Sequence, residues 1–136
     1  MIKVSPELNK ITAKNIIKKH NLAENSVILS AYSNKELVAY AAFYENGHSA
    51  EVTAFEIIGC TDHSNQAHEQ KFISELLLRA IGNYAANRNM VYITGENNNL
   101  FFTAVSLGVN SSKDSVRIFI PALFKKCGGC EKERKG

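Results

Sequence analysis

"ELVAYAAFYENGHSAEVTAFEII", residues 36–58, decides the fold. Leu37 to Tyr44 is the longest unbroken apolar run in the chain. It is far below the roughly 18 residues that a membrane-spanning helix needs. Asn46-Gly47 follows it, a hairpin signal because both residues tolerate positive φ. Two strands are expected, over about 37–45 and 50–58. The first is apolar on both faces, so cover is expected on both sides of the sheet. Upstream, "SVILSAYS" (26–33) reads as another strand, over about 27–33. The short polar turn Ser33-Asn34-Lys35 joins it to the hairpin, and together they make an antiparallel meander.

Downstream stands "GCTDHSNQAHEQKFISELLLRAIGNYAANR", residues 59–88. Phe72, Ile73, Leu76, Leu77, Ala80, Ile81, Tyr84 and Ala85 recur as adjacent pairs every four residues, one apolar stripe on a helix of about 67–88. A polar loop leads into its N-terminus, where free backbone N–H groups favour an anion. Loops of that kind usually carry glycines; this one has none between Cys60 and Gly82. "MVYITG" reads as a buried strand over about 90–94. "NNNLFFTAVSLGV" (97–109) reads as a short helix capped by Asn97 or Asn98 and stopped by Gly108. "SVRIFIPAL" reads as a last strand over about 115–121, with Pro121 marking an edge or an end. At the front, Ser5 is a candidate N-cap with Pro6 at the first helical position. Leu8, Ile11, Ile16 and Ile17 then predict a helix over about 6–20. The order is α-β-β-β-α-β-α-β. It implies an α+β single domain, a mixed sheet flanked by helices, over 1–124, with a basic CxxC-containing tail over 125–136.

Composition narrows the function classes. The chain of 136 residues is 45% hydrophobic and 21% charged, as in an ordinary globular domain. Its net charge is +3, and 125–136 carries all of it, with five basic and two acidic residues. The remainder is neutral and has no basic stripe interleaved with aromatics, so no nucleic-acid partner is expected. No apolar leader and no spanning segment is visible, so no membrane partner is expected and the location expected is cytoplasmic. Three cysteines make a poor disulfide framework and fit a reducing compartment.

The element order, with two local stretches, resembles the GNAT superfamily of acyl-CoA-dependent N-acyltransferases, from about Val27 to Ile120. "ELVAYAAFYENGHSAEVTAFEI" is similar to that family's second hairpin. "ENNNLFFTAVSLGV" is similar to its fourth-helix motif, an Asn followed eleven residues later by Gly and an apolar residue, here Asn97, Gly108 and Val109. The resemblance implies acyl transfer from acetyl-CoA or another acyl-CoA, as cosubstrate, to the amine of a small molecule or peptide. It implies a wedge for coenzyme A between Ala54–Gly59 and Val91–Thr94, with the pyrophosphate on the loop near Asn65 to Lys71. The cosubstrate-binding residues implied are Ile57, Ile58, Gly59, Gln66, Ala67, His68, Lys71 and Asn97. Two departures stand out. Gln66, Ala67, His68, Glu69 and Gln70 stand where the family has glycines, and Ala104 stands where many members carry the Tyr that protonates the leaving thiolate. The family's base is a carboxylate on the fourth strand. Glu51 and Glu56 are the candidates, expected on opposite faces from their odd separation. Glu56, nearer the splay, is the one expected to act.

The remaining motifs are sparse. Cys127-x-x-Cys130 is half of a zinc site or a redox pair, and the chain offers no complete ligand set beside it, so no metal is expected. His20, His48, His63 and His68 read as surface or capping residues. Tyr32, Tyr40, Phe43, Tyr44 and Phe55 read as core. The alternative to an enzyme is a non-catalytic binding or interaction module with a metal- or thiol-bearing tail. A homodimer is left open.

Overall fold

A computed structural model describes residues 2–23, 25–58, 66–110 and 115–124, with the backbone alone over 66–69. Six strands form one sheet in sequence order. They are β1 (Ile2–Pro6), β2 (Val27–Ser33), β3 (Glu36–Asn46), β4 (Ser49–Ile57), β5 (Tyr92–Gly95) and β6 (Val116–Phe119). Four helices complete the domain: α1 (Lys10–His20), α2 (Gln66–Ala86), α3 (Asn98–Leu107) and α4 (Ile120–Phe124). Strands β1 to β4 are antiparallel, β4 and β5 parallel, β5 and β6 antiparallel. The fold is the α+β mixed sheet expected. None of the helices, among the described residues, is long and apolar enough to cross a membrane.

The sheet is covered on both faces. On one side Ile16 of α1 packs on Ile28, Tyr40, Ala42 and Ala54. On the other, α2 lays Ile73, Leu77, Leu78, Ile81 and Ala85 against Phe43, Phe55 and Ile93, with α3 and α4 packed beside it. The α2 stripe is turned slightly from the expected one. Leu78 is fully buried, whereas Phe72 is 57% exposed.

The front of the chain differs from expectation. Ser5 and Pro6 belong to β1 and stand opposite Ser30 and Leu29. Proline is tolerated there because β1 is an edge strand. The helix starts later, where Asn9 Oδ1 accepts the N–H groups of Ile11 (2.9 Å) and Thr12 (3.1 Å). Glu7 ties the link to the sheet, accepting from the Tyr32 hydroxyl (2.8 Å) and the Asn9 N–H (3.0 Å). Burial works to raise its carboxyl; the hydrogen bonds outweigh burial and hold it below its ordinary value. At the far end β6 stops at Phe119, and Pro121 sits in the first turn of α4, where a missing N–H costs nothing.

The turns and bulges set the faces. Asn34 and Lys35 both have positive φ, whereas in the second hairpin Gly47 alone does. Asn46 there pairs with Ser49, so the turn lies one residue later than Asn46-Gly47 suggested. In β4, Ala54 stands opposite Ala42 and Val52 opposite Phe43, leaving Thr53 as an extra residue, a β-bulge.

Candidate functional site

The ladder between β4 and β5 is short. It runs from Ser49–Tyr92 to Val52–Gly95 and ends there. Beyond it β4 continues along β3 to Ile57, while the chain leaves β5 at Gly95 and enters α3. Gly95 is the fork. A Cβ on it would lie 3.0 Å from the Val52 carbonyl oxygen and 2.9 Å from Leu100 Cδ2. The edge of β4 from Thr53 to Ile57 therefore faces a gap rather than a strand. Asn99, in the first turn of α3, spans that gap and donates from Nδ2 to the Phe55 carbonyl at 3.1 Å. A strand residue points its N–H and C=O to the same side. Phe55 and, by alternation, Ile57 thus present backbone groups to the gap. The Ile58 N–H points the other way, to the Val38 carbonyl at 2.8 Å.

The bulge corrects the carboxylate assignment. Tyr44 stands opposite Glu51 and Tyr40 opposite Glu56, and Tyr40 and Tyr44 share a face of β3. Glu51 and Glu56 therefore share a face, despite their odd separation, because Thr53 adds one residue between them. It is the face that α1 covers. Glu51 lies where β4 and β5 are paired, and its Oε1 accepts from the Thr94 hydroxyl at 2.9 Å. Glu56 lies in the open half.

On the other face, α2 and α3 flank the gap. Lys71, Ser74 and Glu75 of α2 line a cleft of about 260 Å³ with Phe102, Thr103 and Ser106 of α3. Phe102 is 67% exposed. Lys71 Nζ is 4.0 Å from Glu75 Oε2, which also accepts from Ser106 Oγ at 3.3 Å. Gln66, Ala67, His68 and Glu69 form the first turn of α2, whose N–H groups have no acceptor within the helix.

Several solved structures share this fold. A GNAT-family protein from Desulfovibrio desulfuricans aligns over 88% of this chain and 99% of its own, at 7% identity and a TM-score of 0.61. The ribosomal-protein-S18-alanine N-acetyltransferase of Escherichia coli aligns over 87% and 90%, at 14% identity and a TM-score of 0.58. An N-acetyltransferase from Staphylococcus aureus Mu50 aligns over 89% and 99%, at 16% identity and a TM-score of 0.58. The chain has the GNAT fold. No protein-family model and no curated protein sequence matches it.

Within this GNAT frame the expected residues fall into different situations. Ile57 is on the open edge, whereas the Ile58 N–H is committed to the sheet. Asn97 is committed too: it caps α3, its Oδ1 accepting the N–H groups of Asn99 (2.8 Å) and Leu100 (3.2 Å). Sequence reasoning missed Asn99, the residue that reaches β4; its position in the first turn of a capped helix was the available signal. Lys71 is on the cleft wall, paired with Glu75. Ala104 is fully buried in the core, so no side chain there serves as an acid. Gly59, Cys127 and Cys130 lie outside the described residues. Among the described residues no three His, Cys, Asp or Glu side chains gather as a metal site.

The frame has features that suit coenzyme A: an open strand edge with Phe55 and Ile57 groups toward it, a helix N-terminus, and a cleft with an exposed aromatic. Opposed to it are the Asn99 amide on the Phe55 carbonyl and the Glu75 carboxylate beside Lys71.

Proposed function

We propose that the chain is an acyl-CoA-dependent N-acyltransferase acting on the amine of a small molecule or peptide. The observation that carries this reading is the ladder that ends at Val52–Gly95 and leaves β4 open beside α3, on a GNAT fold. The acyl-CoA supplies an activated thioester. This chain's part is to hold it extended along Phe55 and Ile57, with the first-turn N–H groups of α2 toward its phosphates. A β4 N–H facing the gap polarises the thioester carbonyl. Glu56, in the open half of β4, accepts the proton of the attacking amine. Ala104 leaves the thiolate without a phenol donor from α3, so departure as thiolate into water is the expected course.

Calorimetric titration with acetyl-CoA tests the reading on the native chain and on Glu69→Gln. Glu69 is in the first turn of α2, where it competes with phosphates for the positive helix end. Its neutralisation should tighten binding by about 0.3–1 kcal/mol, the scale of an exposed helix-dipole interaction. Absence of heat and of thermal stabilisation in both proteins, at millimolar ligand, rejects acyl-CoA binding and favours a non-catalytic module on the same fold.

A further inference from the structure

Where the β4–β5 ladder ends, one backbone group takes a side chain as its partner. Phe55 is fully buried, and its carbonyl faces the gap, beyond the last pair that β5 makes with β4. A buried carbonyl without a donor is costly. The donor is Asn99, whose Nδ2 lies 3.1 Å from that oxygen. The rest of Asn99 is tied down. Its N–H goes to Asn97 Oδ1 at 2.8 Å, and its carbonyl accepts from the Thr103 hydroxyl at 2.7 Å. Only the side chain is left to turn. Asn99 is exposed, so an amide that lets go of Phe55 meets water. The fork itself does not depend on this bond: Leu100 of α3 is fully buried, packed so close to Gly95 that a Cβ there would lie 2.9 Å from its Cδ2.

A primary amide on a strand-edge carbonyl does what a neighbouring strand would do at that point. An extended chain laid along β4 runs about 4.8 Å from it, and Asn99 crosses that lane to reach Phe55. The pantetheine arm of an acyl-CoA carries secondary amides whose N–H groups seek the same carbonyl from the same side. We propose that Asn99 is a placeholder on β4: it satisfies the Phe55 carbonyl and yields it to the pantetheine amide by turning into solvent. This rests on the acyl-transfer reading. One N–H···O bond replaces another, so the cosubstrate gains nothing new at Phe55 and must displace what is there. Asn99 is thus a positioning residue that lowers the affinity for the cosubstrate without touching the thioester or the amine. A permanent brace between α3 and β4 would act the other way, since its removal would loosen the site and weaken binding.

Calorimetric titration of the full chain with acetyl-CoA separates the two roles. Asn99→Ala removes the amide and keeps the backbone N–H on Asn97. Its dissociation constant should fall about fivefold, which is about 1 kcal/mol, the net worth of one hydrogen bond. Asn98→Ala, at the exposed neighbour, is the control and should bind as the native chain does. Asn99 is uncharged, so its gain should be equal at low and high salt, whereas the gain from Glu69→Gln should fade as salt screens it. Nitrogen-15 spectra follow the same event: the Asn99 side-chain resonances, assigned from Asn99→Ala, should move to those of a water-exposed amide at saturation. An Asn99→Ala chain that binds no better than the native one overturns the placeholder and leaves acyl-CoA binding standing. So does a gain that disappears at high salt, or an Asn99 resonance that stays in place at saturation. If neither chain binds acetyl-CoA at millimolar concentration, the acyl-transfer reading falls and the placeholder falls with it. A native chain that fails to bind while Asn99→Ala succeeds supports both.

Discussion

Gly95→Ala isolates the fork between β4 and β5. The φ of Gly95 lies outside the left-handed region, so alanine meets no backbone penalty there. It meets atoms instead: the Val52 carbonyl oxygen at 3.0 Å and Leu100 Cδ2 at 2.9 Å. The carbonyl is backbone and cannot yield without parting the strands at their last pair, Val52–Gly95. Overpacking of this kind costs about 1–3 kcal/mol. Alanine also restricts the unfolded chain, which returns about 0.4–1 kcal/mol. With each effect at the middle of its range, the net expectation is a loss of about 1.3 kcal/mol. Unfolding entropy of about 2.1 cal/mol/K per residue over 136 residues converts this to a Tm lower by about 5 °C. Melting followed by circular dichroism reads the shift, and amide exchange should accelerate across β4–β5 more than across β3–β4. Gly108→Ala is the comparison: its φ is +70° with no atom within 4 Å, so its cost comes from the backbone alone. A Gly95→Ala chain as stable as the native one would refute the tight fork.

Leu77 is fully buried at the centre of the α2 face, so Leu77→Ala should cost about 2–5 kcal/mol in urea unfolding; a change within about 0.5 kcal/mol would mean that the stripe packs elsewhere. The Glu7 carboxyl is held below its ordinary value of 4.5, so its stabilising share is present above that pH and fades as pH falls through the lowered value; Glu7→Gln should flatten that acid limb of the Tm profile, and an unchanged limb would exclude the role. Glu56→Gln should cut acetyl transfer by about 10²–10⁴ with an unaltered melting temperature, and full activity in that variant would remove Glu56 as the base.

The meander and α2 were legible because their signals are long and redundant: β3 is apolar on both faces, and α2 repeats its stripe over several turns. The front of the chain was misread because Ser5-Pro6 and Asn9 both look like helix starts. The choice fell to the pairing of Ile2–Pro6 with β2, a long-range contact that local spacing does not encode. The shared face of Glu51 and Glu56 was hidden for a similar reason. Nothing in "EVTAFE" marks Thr53 as unpaired until its partner strand is in place. The His20–Tyr40 bond joins residues twenty apart in the chain, and it exists because α1 ends over β3. By contrast, Ala104 and the glycine-free entry to α2 were visible at once, because they are departures at fixed offsets from neighbours that could be recognised.

Thr53 behaves as a frameshift within a strand. Before it, even-numbered residues of β4 such as Ala50 and Val52 face α2; after it, odd-numbered ones such as Phe55 do. Deleting this one exposed residue would leave every pair downstream in place, Ala54 opposite Ala42, Phe55 opposite Ala41 and Glu56 opposite Tyr40, and turn β4 into a regular strand with Phe55 still facing α2; a second residue inserted elsewhere in β4, by contrast, would need a bulge of its own to keep those faces. For anyone aligning this chain by sequence or grafting its hairpin, β4 is two short strands of opposite phase in the numbering, and against a strand without a bulge the one-residue gap belongs at 53, where it keeps the faces in step.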